Sequence, residues 1–266
     1  MNKTLLFIKR NLKEMLRDPL LYCFCGGFPV LMVLLFQLIL HYSGESTPTF
    51  QLKSLIPGIM MFSYTLLMLM ASLLISKDRS QAFLKRLFTS PMKGHNYIIG
   101  YFVPYFLVGI IQSIICVALG YIFSLINSTE FIPFYKSLLL ILEMIPIMAI
   151  NIFIGMSLGM ILNDKTAPGI TSVFISCSGI LGGAWMPIDT MSEFETVCSF
   201  LPFYPSVYLG RVICMAKHTL PNELGDKVIY SYSDRGIIFL IVLIIYTILF
   251  ALITLFIFNK KLKSDN

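Results

Sequence analysis

The stretch GIIFLIVLIIYTILFALITLFIF, residues 236–258, contains no charged side chain. A helix of about 20 apolar residues crosses a bilayer, because each residue adds ~1.5 Å and the hydrocarbon core is ~30 Å thick. The rest of the chain has the same character: 57% of its 266 residues are hydrophobic, 13% are charged, and the mean hydropathy is +0.82. This composition excludes an ordinary soluble domain and predicts an integral membrane protein.

Five further apolar runs have the length of a membrane span or nearly so. They are Leu20–Leu40, Leu55–Ile75, Tyr97–Ile122, Leu138–Leu162 and Gly169–Trp185, of which the last is the shortest. Residues 186–235 follow it and are apolar in patches, interrupted by Pro187, Pro202 and Pro205, a pattern typical of short re-entrant helices. The predicted fold is therefore all-α, a single domain over residues 1–266 with six transmembrane helices.

Residues 1–18, MNKTLLFIKRNLKEMLRD, carry charge throughout and lack the apolar core of a cleavable signal. Apolar side chains recur at helical spacing at Leu5, Ile8, Leu12, Met15 and Leu16, and the basic side chains of Lys9, Arg10, Lys13 and Arg17 fall on the other side. The pattern predicts an amphipathic helix that lies in the headgroup layer and contacts membrane lipids.

The distribution of Lys and Arg predicts the orientation of the chain. If both termini are cytoplasmic, 14 of the 20 basic residues fall on inner segments. Cytoplasmic segments of membrane proteins carry such an excess, so we expect both termini inside. The net charge of +6 is then a topology signal with some affinity for lipid headgroups. A nucleic-acid partner would need a basic soluble patch, which the sequence does not offer.

The residue types that carry most enzyme and metal chemistry are not grouped in this sequence. The six cysteines form no CxxC pair and no cluster with the three histidines, so no metal site is predicted. Cys198 and Cys214 share an outer segment, where either free thiols or a disulfide fits the sequence. There is no GxxxxGK[ST] phosphate loop, no HExxH and no Ser/His grouping. We therefore expect no cofactor on this chain and no reaction of its own.

Residues 76–95, SKDRSQAFLKRLFTSPMKGH, form the largest predicted cytoplasmic loop. A short helix over about 79–88 is predicted, with an apolar face made of Phe83, Leu84, Leu87 and Phe88. Asp78 or Ser80 would cap its start and Pro91 would end it. This apolar face either contacts a protein partner or lies on the membrane surface, and periodicity does not distinguish the two.

The segment KDRSQAFLKRLFTSP, residues 77–91, resembles the one through which permeases of the ABC-2 type contact their ATPase. These permeases belong to bacterial exporters of drugs, polysaccharides and lipids. Matching positions are held by Lys77, Asp78, Arg79, Leu84, Arg86, Leu87, Thr89 and Pro91. Ser80 and Ala82 stand where the family commonly has an acid and a glycine.

A second segment, SGILGGAWMPIDTMSEFETVCSFLPFYPSVYLGR, residues 178–211, is similar to the Gly-rich fifth span of that family and the Pro-containing turn after it. Matching places are held by Gly179, Gly182, Pro187, Leu201, Pro202, Tyr208 and Arg211. With the six-span layout and the amphipathic N-terminus, the resemblance extends over essentially the whole chain.

The resemblance implies the membrane permease of a bacterial exporter, in the cytoplasmic membrane. ATP and Mg²⁺ would bind to separate ABC ATPase subunits, and a second permease chain, identical or a sister, would complete the pathway. The expected ATPase-coupling residues are Asp78, Arg79, Phe83, Leu84, Arg86, Leu87, Phe88 and Pro91. An ATPase-driven movement of their helix would pass to the spans that it joins.

The cargo class is open at this level. Apolar spans with few fixed polar groups favour an amphipathic drug, antibiotic, peptide or lipid, and the alternative is a polysaccharide or a teichoic-acid-type polymer. A transporter of another class, driven by an ion gradient, would predict several buried carboxylates or paired repeats. The predicted spans contain one acid, Glu143, and the two halves of the chain show no convincing repeat.

Four polar residues within or near the spans are candidates for the pathway or for its support. Glu143 either serves the pathway or gating, or reaches headgroups or an outer-loop cation. Asn151 and Gln112 either contact cargo or form interhelical hydrogen bonds. Arg211 follows Tyr204 and Tyr208 and is predicted to be an interfacial anchor in an aromatic belt. The re-entrant segment is represented by Pro187, Pro202, Tyr208 and Arg211.

Overall fold

The chain forms a bundle of long helices in the computed structural model, which describes residues 3–42, 50–81, 94–186, 188–219 and 227–264. The helices are α1 (Lys3–Met15), α2 (Pro19–Tyr42), α3 (Leu52–Ser80), α4 (Gly94–Ile126), α5 (Phe134–Ile161), α6 (Ala167–Leu181), α7 (Ser192–Ser199), α8 (Phe203–Ile213) and α9 (Ile237–Ser264). Helix α2 includes a π-helical stretch, Tyr22–Gly27. A second π-helical turn, Tyr232–Gly236, precedes α9, and a 3₁₀ turn, Ile188–Thr190, precedes α7.

The bundle has two ends that differ in structure. At one end, α1 contacts the C-terminal turn of α3 through Arg10 and Asp78, and we call this the α1 end. At the other end, α8 contacts the first turn of α3 through Arg211 and the Ser54 carbonyl, and we call this the α8 end. The C-terminal part of α9 returns to the α1 end, where Phe258 packs near Tyr101.

All six predicted spans are helical, which confirms the all-α class. Helices α2, α3, α4, α5 and α9 are long and apolar enough to cross a membrane, whereas α6 is an apolar helix of 15 residues. The expectation that the fifth run continues to Trp185 is wrong. Helix α6 ends at Leu181 because Gly182 follows as its C-cap and Gly183 adopts a φ of +61°, in the left-handed region that favours glycine.

Two local features depart from the predicted helical pattern. A short antiparallel ribbon pairs β1 (Lys217–Thr219) with β2 (Lys227–Ile229), with Lys217 opposite Ile229. Helix α5 is interrupted at Met144, where a second helical segment begins with Pro146 in its first turn. Proline lacks the N–H that continues a helical ladder, which accounts for the break.

Helix α3 is the central helix of the bundle. Its apolar window is 89% buried, compared with 17% for α9 and 28% for α2. It packs against α4, α5, α6 and α8. The outer helices α2 and α9 instead present large aliphatic side chains at the surface, as suits contact with lipid. The core of the protein therefore surrounds α3.

Close contact between α3 and α5 depends on two glycines of α5. A Cβ added at Gly155 would lie 2.3 Å from the Met68 carbonyl oxygen, and one added at Gly159 would lie 2.7 Å from that of Ser72. The two glycines are four residues apart, so they lie on one face of α5. Small residues at this spacing let two helix backbones approach each other within a membrane.

We expect Gly155→Ala to destabilise the protein by about 3 kcal/mol, because the added methyl group meets backbone that cannot move aside. The measurement is the midpoint of thermal unfolding in detergent. Gly169→Ala is the matched control, since a Cβ there would meet no atom of the described residues within 4 Å beyond its chain neighbours and the backbone of its own helix. Equal midpoints for the two variants would contradict the close packing of α3 on α5.

Candidate coupling site at the α1 end

A buried carboxylate joins three helices at the α1 end. Asp78, in the last turn of α3, is fully buried. Arg10 of α1 donates two hydrogen bonds to it, at 2.7 Å to Oδ2 and 2.9 Å to Oδ1, and the Tyr101 hydroxyl of α4 donates a third at 2.7 Å. This bidentate geometry is the strongest form of Arg–carboxylate pairing. We call Arg10, Asp78 and Tyr101 the coupling hub.

Arg10 keeps its positive charge in the hub. Burial lowers the pKa of the guanidinium, but the hydrogen bonds and charge of Asp78, together with Glu14, raise it overall. Glu14 pairs with Arg10 at 2.7 Å one turn along α1, and with Lys77 of α3 at 3.3 Å. Ion pairs therefore connect α1 to the end of α3 at two places.

Helix α1 packs on the bundle by a face that differs from the predicted one. Its buried residues are Phe7, Asn11 and Met15, which recur every four residues. Asn11 donates to the Gly100 carbonyl of α4 at 2.9 Å, and the Phe7 ring fills the space beside Gly100. Of the predicted apolar face, Met15 is buried against the bundle, whereas Leu5 and Leu16 are exposed, and their contact with lipid stays a prediction. Arg10 lies on the side of α1 away from the predicted apolar residues, where it reaches Asp78 of α3.

Arg79 joins the end of α3 to the end of α5. Its guanidinium donates to the carbonyls of Met160 and Leu162, the latter at 2.9 Å, and to Asn163 Oδ1 at 2.7 Å. The last carbonyls of a helix have no partner within the helix and carry partial negative charge, so a cation is favourable there. The C-terminal turns of α3 and α5 are therefore fastened together.

The predicted start of the coupling helix is wrong. Residues 78–80 continue α3, and the backbone N–H of Gln81 bonds to the carbonyls of Lys77 and Arg79. Asp78 and Ser80 thus end a long helix and do not cap a new one. The remaining predicted coupling residues, Phe83, Leu84, Arg86, Leu87, Phe88 and Pro91, lie outside the described residues, and their role stays a prediction.

The sequence agrees with a family model that covers most of the chain. The model for ABC-2 type transporters matches residues 2–215. The chain belongs to the ABC-2 type transporter family. It is the transmembrane permease component of such a transporter and not the ATPase, and the family associates with ABC ATPases. The match includes the whole coupling hub. The chain has no match among curated protein sequences.

The three pathway candidates of the ABC-2 permease lie inside the bundle with unsatisfied oxygens. Both carboxylate oxygens of Glu143, Gln112 Oε1 and Asn151 Oδ1 are buried without a partner among the described residues. Gln112 Nε2 donates to the Ser63 carbonyl of α3 at 3.2 Å, an interhelical bond, whereas Asn151 Nδ2 donates within α5 to Ile147 at 2.9 Å. Within the described residues Glu143 has no cationic partner, and its role stays a prediction.

Sequence reasoning missed the hydroxyl pairs that cross between the helices of the permease. Tyr64 of α3 and Ser113 of α4 lie 2.8 Å apart, and Ser157 of α5 and Thr254 of α9 lie 2.9 Å apart. Hydroxyl side chains in spans are a known signal for interhelical bonds, but a single sequence does not indicate which ones meet. These pairs stabilise the packing around α3.

Arg211 of the permease is a buried anchor, and its prediction as an interfacial residue is wrong. It is 1% exposed and donates to the Gly183 carbonyl at 2.7 Å and the Ser54 carbonyl at 3.2 Å. It also forms an ion pair with Asp189 at 3.5 Å. Since these partners lie on three segments, Arg211 connects α8, the first turn of α3 and the turn after α6. We call Arg211 and Asp189 the α8-end anchor.

Two tyrosines complete the environment of Asp189. The hydroxyls of Tyr204 and Tyr230 each donate to its carboxylate at 2.5 Å. Burial raises the pKa of both phenols, and the negative charge of Asp189 raises it further. The two hydroxyls therefore remain protonated donors, and Asp189 is satisfied by three side chains.

The remaining predicted residues of the segment between α6 and α9 have structural positions. Pro202 precedes α8 as its N-cap residue, and the Tyr208 hydroxyl donates to the Ser231 carbonyl at 3.2 Å. Pro187 lies outside the described residues. Cys198 and Cys214 are both buried free thiols. Helices α7 and α8 are short, as predicted, and their re-entry into the membrane stays a prediction.

Proposed function

We propose that this chain is the permease subunit of an ATP-driven exporter in a bacterial cytoplasmic membrane. The observation that carries the proposal is the coupling hub, which lies next to the segment expected to contact the ATPase. The excess of Lys and Arg on the segments at the α1 end supports a cytoplasmic location for that end. Both termini would then be cytoplasmic.

The hub suggests how a movement of the ATPase would reach the spans. Residues 82–93 join α3 to α4, and α3 is tied just before this segment to α1, α4 and α5 by Asp78 and Arg79. A displacement of the segment would therefore move four helix ends as one body. Buried charge-assisted bonds resist stretching more than apolar contacts do, because breaking one leaves a charge without a partner.

The cargo that fits best is an amphipathic compound such as a drug, an antibiotic, a peptide or a lipid. The described spans offer mostly apolar side chains, and the few buried polar groups among the pathway candidates are neutral amides and one carboxylate. Such a surface suits a ligand held mainly by apolar contact. A second permease chain, identical or a sister, would complete the pathway, and ATP with Mg²⁺ would bind to the partner ATPase.

The test replaces Leu84 and Leu87 together by Asp. We expect co-purification with the ATPase to weaken by on the order of thirtyfold or more and ATP-dependent export to be lost, because two central apolar contacts of an interface are removed. Ser46→Asp with Thr49→Asp is the matched control, since it adds the same charges between α2 and α3 at the α8 end. Unchanged co-purification and export in the Leu84/Leu87 variant would refute ATPase docking through this segment.

A further inference from the structure

A cavity of about 870 Å³ opens between α1, α3 and α4 at the α1 end. Its inner wall is apolar and includes Met70, Leu73 and Leu74 of α3, Leu20 of α2 and the ring of Tyr105. Its mouth is lined by charged side chains of α1 and by Lys77. The cavity is therefore amphipathic and continues from the headgroup level expected for α1 towards the apolar part of the bundle.

The amphipathic character follows from two facing helix stripes. On α3, Met70, Leu74 and Lys77 lie along one face, so the wall changes from apolar to cationic over about 10 Å. Arg10 and Lys13 of α1, and Arg17 in the turn after it, line the same space. A bilayer lipid has the same order of groups, with a charged head next to its acyl chains.

Two basic side chains at the mouth have no ion pair among the described residues. Four basic and three acidic side chains line the cavity; Arg10 and Lys77 are ion-paired, whereas Asp18 and Asp164 accept only backbone N–H bonds there and keep their negative charge. Glu14 pairs with Arg10 and Lys77, Asp18 Oδ1 accepts from the Leu20 N–H at 3.0 Å, and Asp164 Oδ1 accepts from the Lys165 N–H at 3.0 Å. Lys13 of α1 and Arg17, in the turn after α1, have no ion pair or side-chain hydrogen bond within the part of the chain that the structure describes.

We infer that this cavity binds one anionic phospholipid, with its phosphate at Lys13 and Arg17 and an acyl chain along Leu73 and Leu74. A soluble phosphate would leave the apolar wall uncovered, and a zwitterionic lipid would bring no net negative charge to the two free cations. The bound lipid would lie beside Arg10, so it would contact the same helix face that forms the coupling hub.

The test uses the permease purified alone in detergent and mixed with phosphatidylglycerol or phosphatidylcholine. We expect the affinity for phosphatidylglycerol, measured by native mass spectrometry, to fall on the order of thirtyfold in the Lys13→Gln, Arg17→Gln double variant. Lys3→Gln with Lys9→Gln is the matched control, because it removes the same charge from exposed positions of α1 that do not line the cavity. The control is expected to retain the lipid as the unmodified chain does.

A second variant tests the apolar wall without changing the charge. Leu73→Trp should fill the cavity and reduce phosphatidylglycerol retention while Lys13 and Arg17 remain. If the Lys13/Arg17 and Lys3/Lys9 double variants lost the same amount of bound phosphatidylglycerol, binding would depend only on the general surface charge of α1, and the inference would be overturned. Displacement of the lipid by inorganic phosphate, or equal retention of phosphatidylcholine, would also overturn it. Because no ATPase is present, these outcomes are independent of whether the proposed docking segment is correct.

Discussion

Replacing Asp78 by Ala is expected to destabilise the permease by about 2–3 kcal/mol, because the half-buried Arg10 guanidinium loses its bidentate carboxylate and keeps only Glu14 as an ion-pair partner among the described residues. The Tyr101 hydroxyl, which is buried, loses its acceptor at the same time. We expect α1 to detach from the C-terminal turn of α3. The measurement is thermal unfolding in detergent, combined with the susceptibility of residues 1–18 to protease.

Two controls separate the hub from simple loss of charge. Asp164→Ala removes an exposed carboxylate at the same end of the bundle and should change stability little. Arg10→Met combined with Asp78→Leu removes both members of the bidentate pair, and we expect it to recover part of the stability lost in Asp78→Ala, since neither partner is then left without the other. Additive losses in the double variant would contradict the ion pair as the source of the effect.

Replacing Arg211 by Met is expected to cost about 3–5 kcal/mol, because it leaves Asp189 buried without its cation. The Gly183 and Ser54 carbonyls also lose a donor, and a buried acceptor without a partner adds to the cost. The first turn of α3 should then separate from α8. The expected result is a large drop in the unfolding midpoint.

Arg235→Met is the matched control for this anchor. Arg235 pairs with Glu195 at the same end of the bundle, but its side chain is 53% exposed. Water and salt screen such a pair, so its removal should cost less than about 1 kcal/mol. If the two arginine variants unfolded at the same temperature, Arg211 would not be the structural anchor that its contacts indicate.

The two sets of ion pairs lie at opposite ends of α3, and the coupling proposed above concerns only the set at the α1 end. The α8-end anchor holds the start of α3 against α8, and the coupling hub holds its end against α1 and α4. Variants of Arg211 should therefore affect folding first. Variants of the hub should affect both folding and the response to the ATPase, and export measured per folded molecule distinguishes these effects.

The sequence was sufficient to predict the membrane class, the five helices long enough to span a membrane, the shorter apolar helix α6 and the N-terminal helix α1. These features depend on the length and periodicity of apolar runs, which are properties of each segment alone and do not require knowledge of its tertiary contacts. The end of α6 was not predictable in the same way, because an apolar run continues past Leu181 while the left-handed conformation of Gly183 turns the chain. The ribbon at Lys217–Thr219 likewise has no apolar alternation long enough to identify it.

The roles of the charged residues were decided by tertiary structure. In the sequence, Arg10 and Arg211 resembled basic residues at a membrane surface. The sequence could not show that Arg10 contacts Asp78, which is 68 positions away in the chain, or that Arg211 contacts Asp189. Helical periodicity says which residues share a face, but not which face another helix will cover. Arg10 and Arg211 each have a carboxylate partner on another segment, and these contacts are determined by the packing of α1, α3, α4 and α8 around each other.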